Sequence, residues 1–257
     1  MSGKTISVII PVYNEEETIA DMVSRLLSFR IVCEIICVND GSGDRSAGIL
    51  KGFGDKIKLI NLSKNHGKGA ALAVGTKTAK GEIIVFLDAD LLDLTETHIE
   101  SLVEPLVSGK SRVVVGCLSG ALAELSGQRA YWRKDILPHL KALAKTRYGA
   151  EVFLNEIFKK RKTKTVSLDG LTYLKGSKKN SHKEDSKLNF IRTFEVVKVL
   201  LKIQKYKLKK FNRILLQEQD KDEPAAELAK ALDKLKDKKI VRILKQYLEY
   251  LSDYLNS

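Results

Sequence analysis

The first 120 residues alternate between short apolar runs and longer segments with helical spacing, and this alternation limits the folds open to the chain. Runs rich in β-branched residues occur at 6–12, 34–38, 57–62, 83–87 and 112–117. Segments with helix-like spacing separate them, at 15–29, 45–53, 69–79 and 95–107. The run ISVIIPV is apolar almost throughout, as strands buried on both faces are. The pattern predicts an α/β fold, a mostly parallel sheet flanked by helices.

The pattern changes after residue 120. Segments 128–145 and 150–160 have helical spacing, 164–174 alternates like a strand, and 176–187 is polar. A long amphipathic helix is predicted over 188–216, and a further helix from 223 carries leucines close to a heptad seam. We therefore predict a domain over residues 1–185, with halves 1–118 and 119–185, and a helical C-terminal extension over 186–257.

The formal charge of +13 is unevenly distributed along the 257 residues. Residues 1–120 carry a net charge of −2, residues 121–210 carry +15, and residues 211–257 sum to zero. A basic field confined to one stretch attracts phosphates, nucleic acid or an anionic membrane surface. A solvated lysine-rich surface explains the composition equally well. Nucleic acid is the least favoured partner, because no stacking aromatics are interleaved with these lysines.

Hydropathy and cysteine content indicate the cellular compartment in which such a protein works. No apolar run approaches the roughly 18–20 residues that cross a bilayer, and the N-terminus has no signal-peptide pattern. Three cysteines do not suggest a disulfide framework. We predict a cytoplasmic protein, with peripheral contact at the membrane face as an alternative that the basic segment leaves open.

Polar residues follow four of the predicted strands. The segments are PVYNE at 11–15, NDGS at 39–42, NHGKG at 65–69 and DAD at 88–90. Because ligands of open parallel sheets bind at the carboxyl ends of the strands, these four segments are the candidate functional site.

The two aspartates of the DAD segment are the most informative residues. Asp88 and Asp90 provide hard oxygen ligands for Mg²⁺ or Mn²⁺, completed by phosphate oxygens and water. The alternative is an acid-rich helix start, but the next helix already has Thr95 as its capping candidate. Lys68, between two glycines, offers a cation and a close backbone approach to a phosphate. Two glycines before a helix are nevertheless common.

Taken together, the motifs resemble family 2 glycosyltransferases of the GT-A fold. SVIIPVYNEEETI, EIICVNDGSGD, NHGKGAAL and GEIIVFLDAD occur in the family's order and spacing. The resemblance is strong over 5–118 and weaker over 119–185. The chain is similar to small bacterial and archaeal members of the dolichyl-phosphate-sugar-synthase-like or glucosyl-phosphoglycerate-synthase-like kind. This implies a metal-dependent, inverting transferase that uses a UDP- or GDP-sugar.

The resemblance also implies roles for single residues. It assigns nucleotide contacts to residues that follow the first two strands, namely Pro11, Val12, Tyr13, Glu15 and Asp40. It places Lys68 at the pyrophosphate or the base. Asp88 and Ala89 lie near the ribose and sugar, and Asp90 is the expected direct metal ligand.

On the acceptor side, Glu151 belongs to an aromatic-Gly-x-Glu element and is the expected general base or its partner. A first-turn acid of the following helix is an equally good reading of Glu151. Gly127 and Arg129 lie in the segment that resembles the acceptor side. Arg129 would hold an anionic acceptor or the diphosphate, and is otherwise a surface arginine.

Two departures from the family pattern limit the predicted type of enzyme and its metal ligands. The QxxRW element of processive synthases is absent at its spacing, which favours a non-processive enzyme. Tyr173 stands where some relatives have a histidine as a further metal ligand.

The predicted partners follow from the C-terminal half. The helix at 188–216 carries eight Lys/Arg and either contacts an anionic membrane or packs on the domain. The last helix packs on its neighbour or forms a homodimer. The predicted acceptor is anionic or lipid-linked. The alternative function is a catalytically weak binding protein that recruits partners, lipid or nucleic acid through its basic half.

Overall fold

A computed structural model describes residues 3–118, 126–147 and 149–174. All of them belong to the first of the two units into which the chain divides, Met1–Leu174. The domain boundary predicted at residue 185, and the helices predicted over 186–257, lie outside the described residues and stay predictions.

Strands and helices alternate along the described chain. The strands are β1 (Ile6–Val12), β2 (Glu34–Asn39), β3 (Lys58–Asn61), β4 (Ile83–Phe86), β5 (Leu91–Leu92), β6 (Val113–Cys117), β7 (Arg129–Trp132), β8 (Thr163–Ser167) and β9 (Thr172–Tyr173). The helices are α1 (Ile19–Ser28), α2 (Ser46–Lys51), α3 (Lys68–Thr78), α4 (Glu96–Val107), α5 (Arg133–Ile136), α6 (Leu140–Leu143) and α7 (Ala150–Phe158). The alternating pattern predicted for residues 1–118 is confirmed.

Seven strands form a mostly parallel sheet in the order β3-β2-β1-β4-β7-β6-β8. β1 pairs in parallel with β2 and β4, and β2 pairs in parallel with β3. β7 runs antiparallel between β4 and β6, and β8 is parallel to β6. The carboxyl ends of β1, β2, β3 and β4 therefore meet at one edge. β5 and β9 form a separate antiparallel pair beside it.

Helices cover both faces of the sheet, and the strands carry apolar side chains on both of these faces. In β1, Val8 and Ile10 belong to a core that contains Met22 of α1 and Leu102 of α4. Ile9, between them, belongs to the opposite core, which α3, α6 and α7 cover. These side chains are essentially fully buried. Burial on both faces explains the continuous apolar run in the sequence.

The helix predicted over 128–145 is wrong at its start. Residues 129–132 form β7, and short helical turns begin only at Arg133. Arg129 and Tyr131 are fully buried beside strands β4 and β6. The strand begins with a charged residue, Arg129, and Arg133 follows it directly, so its four residues show no clear alternation. The strand predicted over 164–174 is divided as well, because Gly170 turns the chain with a φ of 85°.

Thr95 caps α4, as predicted. Its backbone N–H donates to Nδ1 of His98 over 3.1 Å, in a reciprocal capping box. Because Nδ1 accepts, Nε2 of His98 carries the proton and donates to the Asp169 carbonyl over 2.9 Å. Among the described residues, no helix combines the length and apolar character needed to cross a membrane.

Candidate active site

The loops that follow β1 and β2 are tied together at the carboxyl edge of the sheet. The N–H of Asn14 donates to Oγ of Ser42 over 3.0 Å, and the Asn14 side-chain oxygen accepts from the N–H of Gly43 over 2.9 Å. Asn14 has a φ of 58°, in the left-handed region. Arg45 donates through its backbone N–H and Nε to one oxygen of Glu16. The two loops therefore form one polar rim.

The residues predicted for nucleotide contact lie along this rim. Pro11 and Val12 end β1, with Val12 fully buried, while Tyr13 and Glu15 are half-buried in the loop beyond. The backbone N–H of Glu15 donates to Oγ of Ser46 at the start of α2, over 2.8 Å. The predicted residues from β1 and the β2 loop are thus adjacent in space. Their contacts with a nucleotide stay a prediction.

Asp40 holds the loop that precedes α3. Its Oδ1 accepts the backbone N–H of His66 over 2.8 Å, and its Oδ2 accepts that of Gly67 over 2.7 Å. Only 3% of Asp40 is exposed. Both bonds have an ionised acceptor and are therefore strong. In this structure the Asp40 carboxylate fixes the backbone immediately before Lys68.

Replacing Asp40 with asparagine is expected to lower the free energy of unfolding by about 1–3 kcal/mol, because an NH₂ group then faces a buried backbone N–H. Urea denaturation measures the change. Asp55→Asn is the matched control, since Asp55 is exposed in the turn Gly54–Lys56. Equal stabilities of the two variants would show that the Asp40 bonds do not hold the loop.

The glycines around Lys68 allow a close approach of the chain between α6 and α7. A Cβ on Gly67 would lie 2.6 Å from Cα of Arg147, and a Cβ on Gly69 would lie 2.5 Å from the Leu143 carbonyl oxygen. The N–H of Gly69 donates to the Arg147 carbonyl over 2.8 Å. The sequence predicted these glycines for approach to a phosphate. Here they bring the start of α3 against the segment that leads into α7.

Lys68 bridges two carboxylates from distant parts of the chain. Its Nζ lies 2.5 Å from Oδ1 of Asp88, after β4, and 2.5 Å from Oε1 of Glu151, in the first turn of α7. The side chains are 22%, 20% and 12% exposed. Burial alone lowers the pKa of Lys68, but the two carboxylates outweigh it and raise the pKa above its usual value. Lys68 therefore stays charged at physiological pH.

Asp88 is held on three sides. Lys68 contacts Oδ1, and Nε2 of Gln128 donates to Oδ2 over 3.0 Å. Gly127 lies so close that a Cβ there would be 2.6 Å from Oδ1 and 2.7 Å from Cγ. The sequence assigned Gly127 to the acceptor side, and the structure places it against Asp88.

The remaining residues of the DAD segment complete this edge. Ala89 is buried, and Asp90 is half-buried, with its carbonyl accepting the N–H of Leu174 over 3.0 Å. Within the described residues, no group of three or more His, Cys, Asp or Glu could hold a metal ion. Both oxygens of Asp88 have donors in this structure, and Asp90 stays the predicted direct metal ligand. A hard cation here would need oxygens from a bound diphosphate.

Arg129 is buried rather than exposed at the protein surface. Only 1% of it is exposed, which excludes a surface arginine. Its Nε donates to the Ser126 carbonyl and its Nη1 to Oδ1 of Asn155 in α7, each over 2.6 Å. Arg129 thus joins β7 to the helix that carries Glu151. A contact with the acceptor stays a prediction.

Two residues of the cluster were missed by sequence reasoning. Gln128 contacts Asp88, and the Tyr173 hydroxyl lies 3.2 Å from Oε1 of Gln128. Tyr173, noted only as a replacement for a histidine ligand, therefore supports the DAD segment through Gln128. Gln128 lies in the segment that resembles the acceptor side, but no local pattern in the sequence marks its contact with Asp88.

Comparison with known proteins identifies the family to which this part of the chain belongs. The model of glycosyl transferase family 2 matches residues 7–167. An uncharacterised glycosyltransferase of Synechocystis is 43% identical over 101 residues, which are 35% of this chain and 31% of the relative. Undecaprenyl-phosphate 4-deoxy-4-formamido-L-arabinose transferase of Aeromonas hydrophila is 37% identical over 117 residues, 41% of this chain and 35% of the relative. The chain thus matches about a third of these relatives' length.

Solved structures agree on the fold. Glucosyl-3-phosphoglycerate synthase from Mycobacterium tuberculosis, with Mn²⁺, UDP-glucose and phosphoglyceric acid, superposes with a TM-score of 0.64 at 23% identity, over 80% of this chain and 81% of that one. The same enzyme with Mg²⁺ and UDP gives 0.63. This likeness confirms the predicted GT-A fold. With the family match over residues 7–167, it establishes that the chain belongs to glycosyl transferase family 2.

Proposed function

We propose that this protein transfers a sugar from a nucleoside-diphosphate sugar to an anionic acceptor, in a metal-dependent, inverting and non-processive reaction. The observation that carries the proposal is the Lys68–Asp88–Glu151 cluster at the carboxyl edge of a family 2 domain. It combines a fixed cation with two carboxylates where open parallel sheets bind their ligands.

The cluster suits the charge that such a reaction develops. Breaking the bond between sugar and phosphate leaves a nucleoside diphosphate, and Lys68 is a positive charge held in place before the reaction. Asp90, with oxygens of the diphosphate, would hold Mg²⁺ or Mn²⁺, which supplies further positive charge to the leaving group when bound. The structural relative bound to UDP with either ion supports this choice of metals.

Glu151 has a role that depends on the acceptor. With a hydroxyl acceptor, a carboxylate must take the proton on the side opposite the leaving group, and Glu151 is the candidate base. With a phosphate acceptor the attacking oxygen is already an anion, and Glu151 then acts only as the partner that holds Lys68. One relative is named for undecaprenyl phosphate and the solved one contains phosphoglyceric acid, which favours an acceptor that carries a phosphate group. Phosphoglyceric acid also has a hydroxyl group, so it is compatible with either role of Glu151.

A thermal-shift panel of UDP- and GDP-sugars, each with and without Mn²⁺, tests the proposal. We expect one nucleotide-sugar to raise the melting temperature, and Mn²⁺ to raise it further, because ligands that bind only the folded state stabilise it. Asp90→Ala should remove the part that depends on Mn²⁺. No shift with any nucleotide-sugar would contradict the proposal.

Product analysis separates the proposed enzyme from its alternative. The anomeric configuration of the product, read by NMR, should be opposite to that of the donor, and a retained configuration would contradict an inverting reaction. Nucleotide binding without transfer or donor hydrolysis would instead favour the catalytically weak binding protein. Membrane contact, a homodimer and a cytoplasmic location depend on residues 186–257 or on the whole protein, and stay predictions.

A further inference from the structure

We propose that Gln128 is a positioning residue, whose carboxamide orients Asp88 so that Asp88 and Glu151 together hold Lys68. The inference rests on the proposed function and adds a residue to the same site. Gln128 immediately precedes β7, which lies antiparallel between β4 and β6. It is fully buried. A buried polar side chain in a well-packed sheet requires partners, and those of Gln128 lead to the candidate active site.

The hydrogen bonds of Gln128 fix which way its amide faces. Oε1 lies 2.7 Å from Oγ of Ser126, whose one hydrogen also faces the Gly116 carbonyl, and 3.2 Å from the hydroxyl of Tyr173, which can donate. Nε2 lies 3.0 Å from Oδ2 of Asp88. An ionised carboxylate can only accept, so the NH₂ group must face Asp88. The orientation of the amide therefore follows from its neighbours.

The bond to Asp88 limits the rotation of that carboxylate. Lys68 engages Oδ1, Gln128 engages Oδ2, and Gly127 lies against the carboxyl group from β7's side. Among the described residues, loss of the Gln128 donor would leave Lys68 as the polar partner of the carboxylate, with Gly127 packed against it. Lys68 itself has Asp88 as one of its two ion-pair partners. Gln128 thus acts on Lys68 through Asp88 and needs no contact with substrate.

Gln128→Met tests the inference, because methionine has a similar length and cannot donate a hydrogen bond. We expect kcat to fall about 10- to 100-fold, as for other supporting residues of active sites, and the Mn²⁺ dependence to change with it. The melting temperature should fall by about 2–8 °C, because the hydroxyl groups of Ser126 and Tyr173 and one oxygen of Asp88 lose a partner. Tyr173→Phe, which keeps the ring and removes one partner of Oε1, should lower kcat less.

Thr76→Val is the matched control, a buried polar-to-apolar change whose hydroxyl donates only within its own helix, to the Leu72 carbonyl. It should leave kcat unchanged. Wild-type kcat and Mn²⁺ dependence in Gln128→Met would overturn the inference. The inference would also be overturned if the loss of stability in Gln128→Met and in Tyr173→Phe accounted for the whole loss of activity in both variants.

A crystal structure of Gln128→Met tests positioning independently of the proposed reaction. We expect the Asp88 carboxylate to rotate out of its wild-type plane and its geometry with Lys68 to change. An Asp88 that stays in place would overturn the inference, whatever the activity. If wild-type protein transfers no sugar but Asp88 moves in the variant, then the proposed function fails and the positioning role stands.

Discussion

Replacing Lys68 with methionine is expected to lower the rate of sugar transfer by about a hundred- to a thousand-fold, the loss typical when one preorganised charge or donor is removed from an active site. The reason lies in the position of Nζ, 2.5 Å from both Asp88 and Glu151. Without it, two carboxylates face the site where a diphosphate would develop negative charge. Steady-state kinetics with the donor identified by thermal shift measures the loss, which should appear in kcat.

The same substitution should destabilise the fold, which makes a stability control necessary. Removing one partner of a buried ion pair costs about 3–5 kcal/mol, and partial exposure reduces this to about 2 kcal/mol here. Lys77→Met, at an exposed position of the same helix, is the matched control and should keep activity and stability. Adding Glu151→Gln to Lys68→Met should recover stability but not activity. Activity near that of wild type in Lys68→Met would remove Lys68 from the mechanism.

Much of the fold could be predicted because burial on both faces leaves a continuous apolar signal. β1 was predicted with its observed bounds, and the ends of the next strands and helices differ by a few residues. β7 was missed because its four residues begin with a buried arginine, whose partners, Ser126 and Asn155, lie elsewhere in the fold. A charge that is buried by tertiary contacts has the same sequence pattern as one that is exposed on a helix.

Site residues could be predicted where one short segment contains the reactive groups. They could not be predicted where the contact joins segments that are distant in the sequence. Asp88 and Lys68 were identified from their own motifs, but the ion pair between Lys68 and Glu151 joins residues 83 positions apart. The glycines beside Lys68 were predicted to allow approach to a phosphate, which stays a prediction, and in the structure they also admit the backbone of Arg147. A glycine in the sequence indicates that another group approaches the backbone closely, and only the structure identifies that group.

Gly127→Ala is expected to remove most of the transfer activity, by about a hundred-fold, while leaving the fold nearly intact. A Cβ at this position would lie 2.6 Å from Oδ1 and 2.7 Å from Cγ of Asp88, too close for any real contact. The Asp88 side chain can yield by rotating, and Gly127 does not have the positive φ that would strain an alanine. Rotation breaks the contacts of Asp88 with Lys68 and Gln128, so the substitution should lower the activity more than the stability of the fold.

A double-mutant cycle separates this displacement from a general packing defect. If Gly127→Ala acts by moving the carboxylate, it should cost little further activity in an Asp88→Ala background, where no carboxylate remains to move. Gly48→Ala is the control, because no atom of the described residues outside its own helix lies within 4 Å of the added Cβ. It should keep full activity and raise stability by about 0.5–1 kcal/mol. Additive losses from Gly127→Ala and Asp88→Ala would mean that Gly127 serves a contact other than Asp88, such as the predicted acceptor.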